Sequence, residues 1–143
     1  MEKLSSTIFF QLDRAIKSYR QFAQKKLNEK GFSITIDQWL VLKTILDQPD
    51  ISQNEIAGYI FKDKASVTRI IDLLVTKKYL KREVDADNRR RVKLTITGSG
   101  KQIIEAILPT IKSYRKAALV NCDAKEIKNT GILLNKIIQN CNK

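Results

Sequence analysis

Apolar residues at Ile8, Leu12, Ala15, Tyr19, Phe22 and Leu27 recur at helical spacing. They predict one long helix from Leu4 to about Leu27, and Phe9, Phe10, Ile16 and Ala23 widen its apolar face. A stripe that wide exceeds what one neighbouring helix covers. It points to a helix shared with a second subunit, the plainer alternative being a packed core helix. Gly31 ends the segment. Thr35-Ile-Asp-Gln38 then has the form of a capping box flanked by Ile34 and Trp39 as a staple, and the helix it opens runs through Leu42, Ile45 and Leu46 to Pro49. Trp39 is expected as a core anchor rather than a ligand platform. Ser52-Gln-Asn-Glu55 repeats the device, with Ile51 and Ile56 as staple, and predicts a short helix over Ser52–Ile60. Asp63 caps the next helix, predicted over Ala65–Lys78. Its inward stripe is Val67, Ile70, Ile71, Leu74 and Val75, with Ser66, Thr68, Arg69, Asp72 and Lys77 outside it.

The period then changes from helical to two. Leu80, Arg82 and Val84 alternate with Lys81 and Glu83, and Val92, Leu94 and Ile96 alternate with Arg91, Lys93 and Thr95. Joined by Asp85-Ala-Asp-Asn88, these segments predict a hairpin over Leu80–Ile96 with one apolar face. Thr97-Gly-Ser-Gly100 closes it. A long helix is expected from Lys101, carrying Ile103, Ile104, Ile107, Leu108 and Ile111 and bending at Pro109. Asp123-Ala-Lys-Glu126 caps a last helix bearing Ile127, Leu133, Leu134, Ile137, Ile138 and Cys141. The predicted fold is mainly α with a small β-wing, a single domain over residues 1–143. A winged helix-turn-helix lobe (31–100) is flanked by helical regions (1–30 and 101–143) whose surplus apolar surface suits dimerisation across a two-fold axis.

Composition narrows the partners. At 143 residues and 43% apolar the chain has the material for a core. No run approaches the ~18 apolar residues of a membrane span and no signal pattern opens the chain, so a cytoplasmic protein without a membrane partner is expected. The net charge of +12 calls for a polyanion, nucleic acid first. The surplus is spread: residues 1–30 carry seven basic and three acidic groups, 31–100 twelve and nine, 101–143 eight and three. Bulk charge therefore does not single out the central lobe, but the run Lys77–Lys93 does, with eight Lys/Arg against three acids. There is no histidine, which excludes His-based zinc sites and His general bases. Without a phosphate-cradling Gly-rich loop or a nucleophile–base pair, the expectation is no enzyme, no cofactor and no metal. Cys122 and Cys141 are expected as reduced thiols, Cys122 buried at a helix end and inert.

The candidate chemistry lies on the second helix and the hairpin. Ser66, Thr68 and Arg69, with Lys64 beside them, open the helix with small hydroxyls and an arginine. Hydroxyls reach bases or phosphates at short range, and a guanidinium can grip guanine O6 and N7 bidentately. The bland alternative is a solvated face in which Arg69 pairs with Asp72 at i,i+3. Arg89, Arg90 and Arg91 stand at or beside the hairpin tip, placed for phosphates or a narrow minor groove. Their alternative is a solubilising loop, and the helix-turn-helix directly before them decides for DNA. The competing function is a winged helix used for protein–protein contact without specific DNA binding.

These segments, in this order, resemble the MarR family of bacterial transcription regulators over nearly the whole chain. Ile36-Asp-Gln-Trp-Leu-Val-Leu42 is similar to the family's second helix and Ile51-Ser-Gln-Asn-Glu-Ile-Ala57 to its third. Ala65-Ser-Val-Thr-Arg-Ile-Ile-Asp-Leu-Leu74 is similar to the recognition helix, and Asn88-Arg-Arg90 through Ile96-Thr-Gly-Ser-Gly100 to the wing. Pro109 falls where many members have proline. The chain departs from the pattern in three places. Lys78 stands where members have Gly, Asn88 replaces the wing Asp unless Asp87–Arg89 takes over its ion pair, and the first helix lacks the cysteine of peroxide-sensing members. The resemblance implies a homodimer on double-stranded DNA with a pseudo-palindromic operator, usually repressing. It also implies a small aromatic effector held between the dimerisation helices and the winged lobes, with Tyr19 and Trp39 near that cleft.

Overall fold

A computed structural model describes residues 1–143. The elements run α1 (Ile8–Glu29), α2 (Ile36–Asp47), α3 (Gln53–Tyr59), α4 (Lys64–Thr76), β1 (Leu80–Val84), β2 (Val92–Ile96), α5 (Gly98–Ala118) and α6 (Ala124–Cys141). Thr35, Ser52 and Asp123 each close a reciprocal capping box, their side chains accepting from the backbone N–H of Gln38, Glu55 and Glu126. The strands pair antiparallel with Leu80 opposite Ile96, Arg82 opposite Leu94 and Val84 opposite Val92.

Four local expectations are corrected. The chain does not enter α1 at Leu4. Leu4–Ser6 form one 3₁₀ turn, because the Ser6 and Thr7 hydroxyls donate to the carbonyls of Lys3 and Leu4 at 2.8 and 2.7 Å and leave Thr7 extended. Nor does α5 wait for Lys101. Thr97 is its N-cap, accepting from Gly100 N–H at 3.0 Å, so the segment expected to close the wing is the helix's first turn. Gly100 is required there, since a Cβ would lie 2.3 Å from the Tyr79 carbonyl oxygen. The helix runs through Pro109 as one element. The hairpin's apolar face is also shorter than the alternation predicts. Leu80 and Leu94 are buried, whereas Arg82 and Val84 are exposed because the wing projects beyond the lobe. Finally, Cys122 is exposed, in the α5–α6 connection, not buried.

The core is one cluster beneath the winged lobe and the inner ends of α1 and α5. Trp39, Leu42, Ile56, Val67, Ile71, Leu74, Leu80 and Leu94 meet Ala23, Leu27, Ile104, Ile107 and Ile111 there. Trp39, 3% exposed, is the anchor its staple position predicts. Burial stops abruptly beyond this region. α6 has no buried residue, and Ile8, Phe9 and Ile16 on α1 are 46%, 61% and 50% exposed. No helix is long and apolar enough to cross a membrane.

Lys78 takes the left-handed conformation, φ 65°, just past α4. There Tyr79 N–H donates to Leu74 O and Lys78 N–H to Val75 O, both at 2.9 Å, which is a Schellman cap. A non-glycine residue is disfavoured in that region by about 1–2 kcal/mol. Glycine returns roughly 0.4–1 kcal/mol of this through the entropy of the unfolded chain. Lys78→Gly is therefore expected to raise the midpoint of thermal unfolding by about 2–4 °C. A circular-dichroism melt in which the midpoint stays or falls contradicts this account of the cap.

Candidate nucleic-acid interface

The first turns of α4 carry a continuous set of polar contacts. Asp63 caps the helix: its Oδ1 accepts from Ser66 N–H at 2.8 Å and its Oδ2 from the Ser66 hydroxyl at 2.7 Å. The same hydroxyl oxygen accepts from the Arg69 guanidinium at 3.1 Å. These bonds from Ser66, with a smaller contribution from Arg69, hold the Asp63 carboxyl below its ordinary pKa. The cap thus stays ionised and fixes the arginine two turns from Asp63. Thr68 donates to Lys64 O and accepts from Gln53 Nε2 on α3, both at 2.9 Å. Lys64 and Arg69 are exposed, and Ser66 and Thr68 half-buried. The Arg69–Asp72 pair of the alternative reading does not form, because Asp72 binds Arg82 of β1 at 2.5 Å instead.

The three wing arginines have different surroundings. Residues 85–91 form a seven-residue loop rather than a four-residue turn, so Arg91 lies outside β2. Two side chains shape the loop from within: Asp85 Oδ1 accepts from Asp87 N–H at 2.9 Å, and Asn88 Oδ1 from Arg90 N–H at 3.1 Å. Asn88 therefore serves the loop's own backbone, and the Asp87–Arg89 ion pair is not formed. Arg89 and Arg90 are exposed at the tip. Arg91 turns back, donating to the Asp50 carbonyl and lying 3.8 Å from Glu55. With Arg82–Asp72 on one side and Arg91–Asp50/Glu55 on the other, the wing is braced against both helices of the helix-turn-helix.

Between α3 and the wing lies a groove of about 360 Å³, lined by Ser52, Gln53, Asn54, Asn88, Arg90 and Arg91. Gln53, Asn54 and the two braces escape the sequence argument, since neither 3.6- nor 2-residue periodicity pairs residues on different elements. The one available signal is a negative one: Gln53 and Asn54 lie inside a capping box but are not needed by it. In the helical region Tyr19 is half-buried and packs edge-on to Tyr114, ring centroids 5.9 Å apart. Burial, with Tyr19 second, pushes the Tyr114 hydroxyl up to about 12.

Residues 31–91 match the model of the MarR family. The whole chain shares its fold with several solved regulators. One is BpsR of Bordetella bronchiseptica, described as regulated in its DNA binding by 6-hydroxynicotinic acid; it is 23% identical, 96% of each chain is covered and the TM-score is 0.85. MepR of S. aureus in complex with DNA is 24% identical, with 94% of this chain and 98% of that chain covered and a TM-score of 0.81. A MarR mutant from E. coli complexed with operator DNA is 21% identical, with 96% and 99% covered and a TM-score of 0.83.

Proposed function

We infer that this chain, whose residues 31–91 match the model of the MarR family, is a sequence-specific, double-stranded-DNA-binding transcription regulator. It acts as a cytoplasmic homodimer on a pseudo-palindromic operator and represses; it is not an enzyme. Solved relatives of the same fold include complexes with DNA, which disfavours the reading as a protein–protein module. The observation that carries the inference is the pairing of two exposed features: the Asp63–Ser66–Arg69 face of α4 and the Arg89–Arg90 tip of a wing braced to that same helix. In this reading α4 enters the major groove N-terminus first. Arg69, Ser66 and Thr68 face base edges, Lys64 a phosphate, and Arg89 and Arg90 the backbone or minor groove alongside. Arg91 contributes mainly by setting the wing's angle. By analogy with BpsR, a small aromatic acid is the class of effector, binding the dimer so as to move the two lobes out of DNA register.

Selection of bound duplexes from a random pool, with light scattering on the free protein, tests the inference. It predicts an enriched palindromic site and a dimer, with recognition helices about 34 Å apart. Uniform recovery of the pool, or a monomer, overturns it. The wing makes its own prediction. Arg90→Ala should weaken operator and random duplex alike and make the dependence of log K on log salt shallower by about one unit for each phosphate left unneutralised. A salt titration with an unchanged slope would mean that Arg90 touches no phosphate.

A further inference from the structure

One carboxylate of α2 gathers charged side chains from two other parts of the fold. Arg20, on α1, hydrogen-bonds Asp37 Oδ1, and Lys62, in the turn between α3 and α4, reaches Asp37 Oδ2 at 3.1 Å. The Arg20, Asp37 and Lys62 side chains are 35%, 32% and 28% exposed, against 69% and 57% for the surface pair Lys17–Asp13. The triad is therefore partly withdrawn from the solvent screening that leaves most exposed ion pairs without effect.

Lys62 is the residue through which the triad acts on α4. Phe61 before it is left-handed at φ 55°, as the Schellman position ending α3, with Lys62 N–H donating to Ala57 O at 3.0 Å. That conformation is disfavoured for an aromatic residue, so the turn is held by its surroundings and not by its own preference. Asp63, next in the chain, is the N-cap that orients Ser66 and through it Arg69. A chain of contacts thus leads from α1 to the proposed base-reading face: Arg20, Asp37, Lys62, the Asp63 cap, Ser66, Arg69.

We propose that Asp37 is a positioning residue for DNA recognition, locking the start of α4 to the helical region that spaces the two lobes. The proposal rests on the DNA-binding reading above. It makes an unusual demand on sign. Removing an acid from a protein of net charge +12 should, by bulk electrostatics, tighten binding to any duplex. Loss of positioning does the opposite, and only for the operator.

The test uses the full-length dimer and the duplex selected by the wild type, with a random duplex at the same salt as reference. Asp37→Asn is expected to lower the operator-to-random affinity ratio about fivefold or more. Asp37→Glu should restore it. Lys62→Gln, a change in a surface turn, should lower the ratio comparably, and the double variant should lose little more than either single one, because both break the same link. Amide hydrogen exchange over Lys62–Ser66 should quicken in Asp37→Asn without a change elsewhere in α4. An unchanged ratio in both Asp37→Asn and Lys62→Gln overturns the proposal, as does parallel tightening on operator and random DNA. Absence of any preferred duplex for the wild type is instead a failure of the DNA-binding reading. In that case unchanged exchange over Lys62–Ser66 in Asp37→Asn still refutes the link itself.

Discussion

Arg69→Ala is expected to reduce discrimination between the selected operator and random DNA by about 1–3 kcal/mol, roughly 5- to 150-fold, while leaving random-duplex affinity nearly unchanged. The reasoning starts at Asp63. A helix N-terminus leaves unpaired N–H groups, and Asp63 satisfies Ser66 N–H while its second oxygen accepts a hydrogen bond from the Ser66 hydroxyl. That fixes the hydroxyl's lone pairs toward Arg69, which donates to them. The long arginine side chain is therefore partly ordered before DNA arrives, and less rotamer entropy is lost on binding. A guanidinium so placed offers the planar fork that guanine O6 and N7 accept, which a lysine does not reproduce. Affinities compared at one fixed salt concentration, for operator and random duplex side by side, decide the matter. An equal loss on both duplexes would make Arg69 a phosphate contact.

Much of this architecture is legible without coordinates because its signals are local. Three capping boxes at Thr35, Ser52 and Asp123 and the apolar stripe of α4 place helices to within one or two residues. The corrections arise where distant groups compete for the same partner. Asp72 is three residues from Arg69, yet Arg82 reaches it from β1. Arg91 continues the alternation of β2 on paper, but Asp50 and Glu55 draw it out of line with the tip. Thr97 looks like the end of a strand, and is an N-cap because its hydroxyl finds both Gly100 N–H and the Lys78 carbonyl. Lys78 is the clearest case of a local rule overridden. The cap geometry there calls for glycine, and the chain adopts it with lysine.

The largest effect is expected from α6, which contributes nothing to the lobe's core. Ile127, Leu134, Ile137, Ile138 and Cys141 lie along one face at helical spacing, and none of α6 is buried within a single chain. Ile8, Phe9 and Ile16 leave comparable apolar surface near the start of the chain. Burying one such side chain is worth about 1.5–3 kcal/mol, and a two-fold axis counts each residue twice. Ile138, 49% exposed, is a suitable probe. Ile138→Glu would place two carboxylates of like sign in an apolar interface, each costing several kcal/mol to desolvate. The expected product is a monomer at micromolar concentration in sedimentation. Its winged lobe should remain folded, because α6 supplies no residue to the core. Operator binding should fall ~100-fold or more, since two half-sites would then be occupied independently and the advantage of linking them is of order 10²–10⁴. Random-duplex binding per lobe should hardly change, as the wing and α4 are untouched. A variant that still sediments as a dimer with full operator affinity would move the dimer interface away from α6.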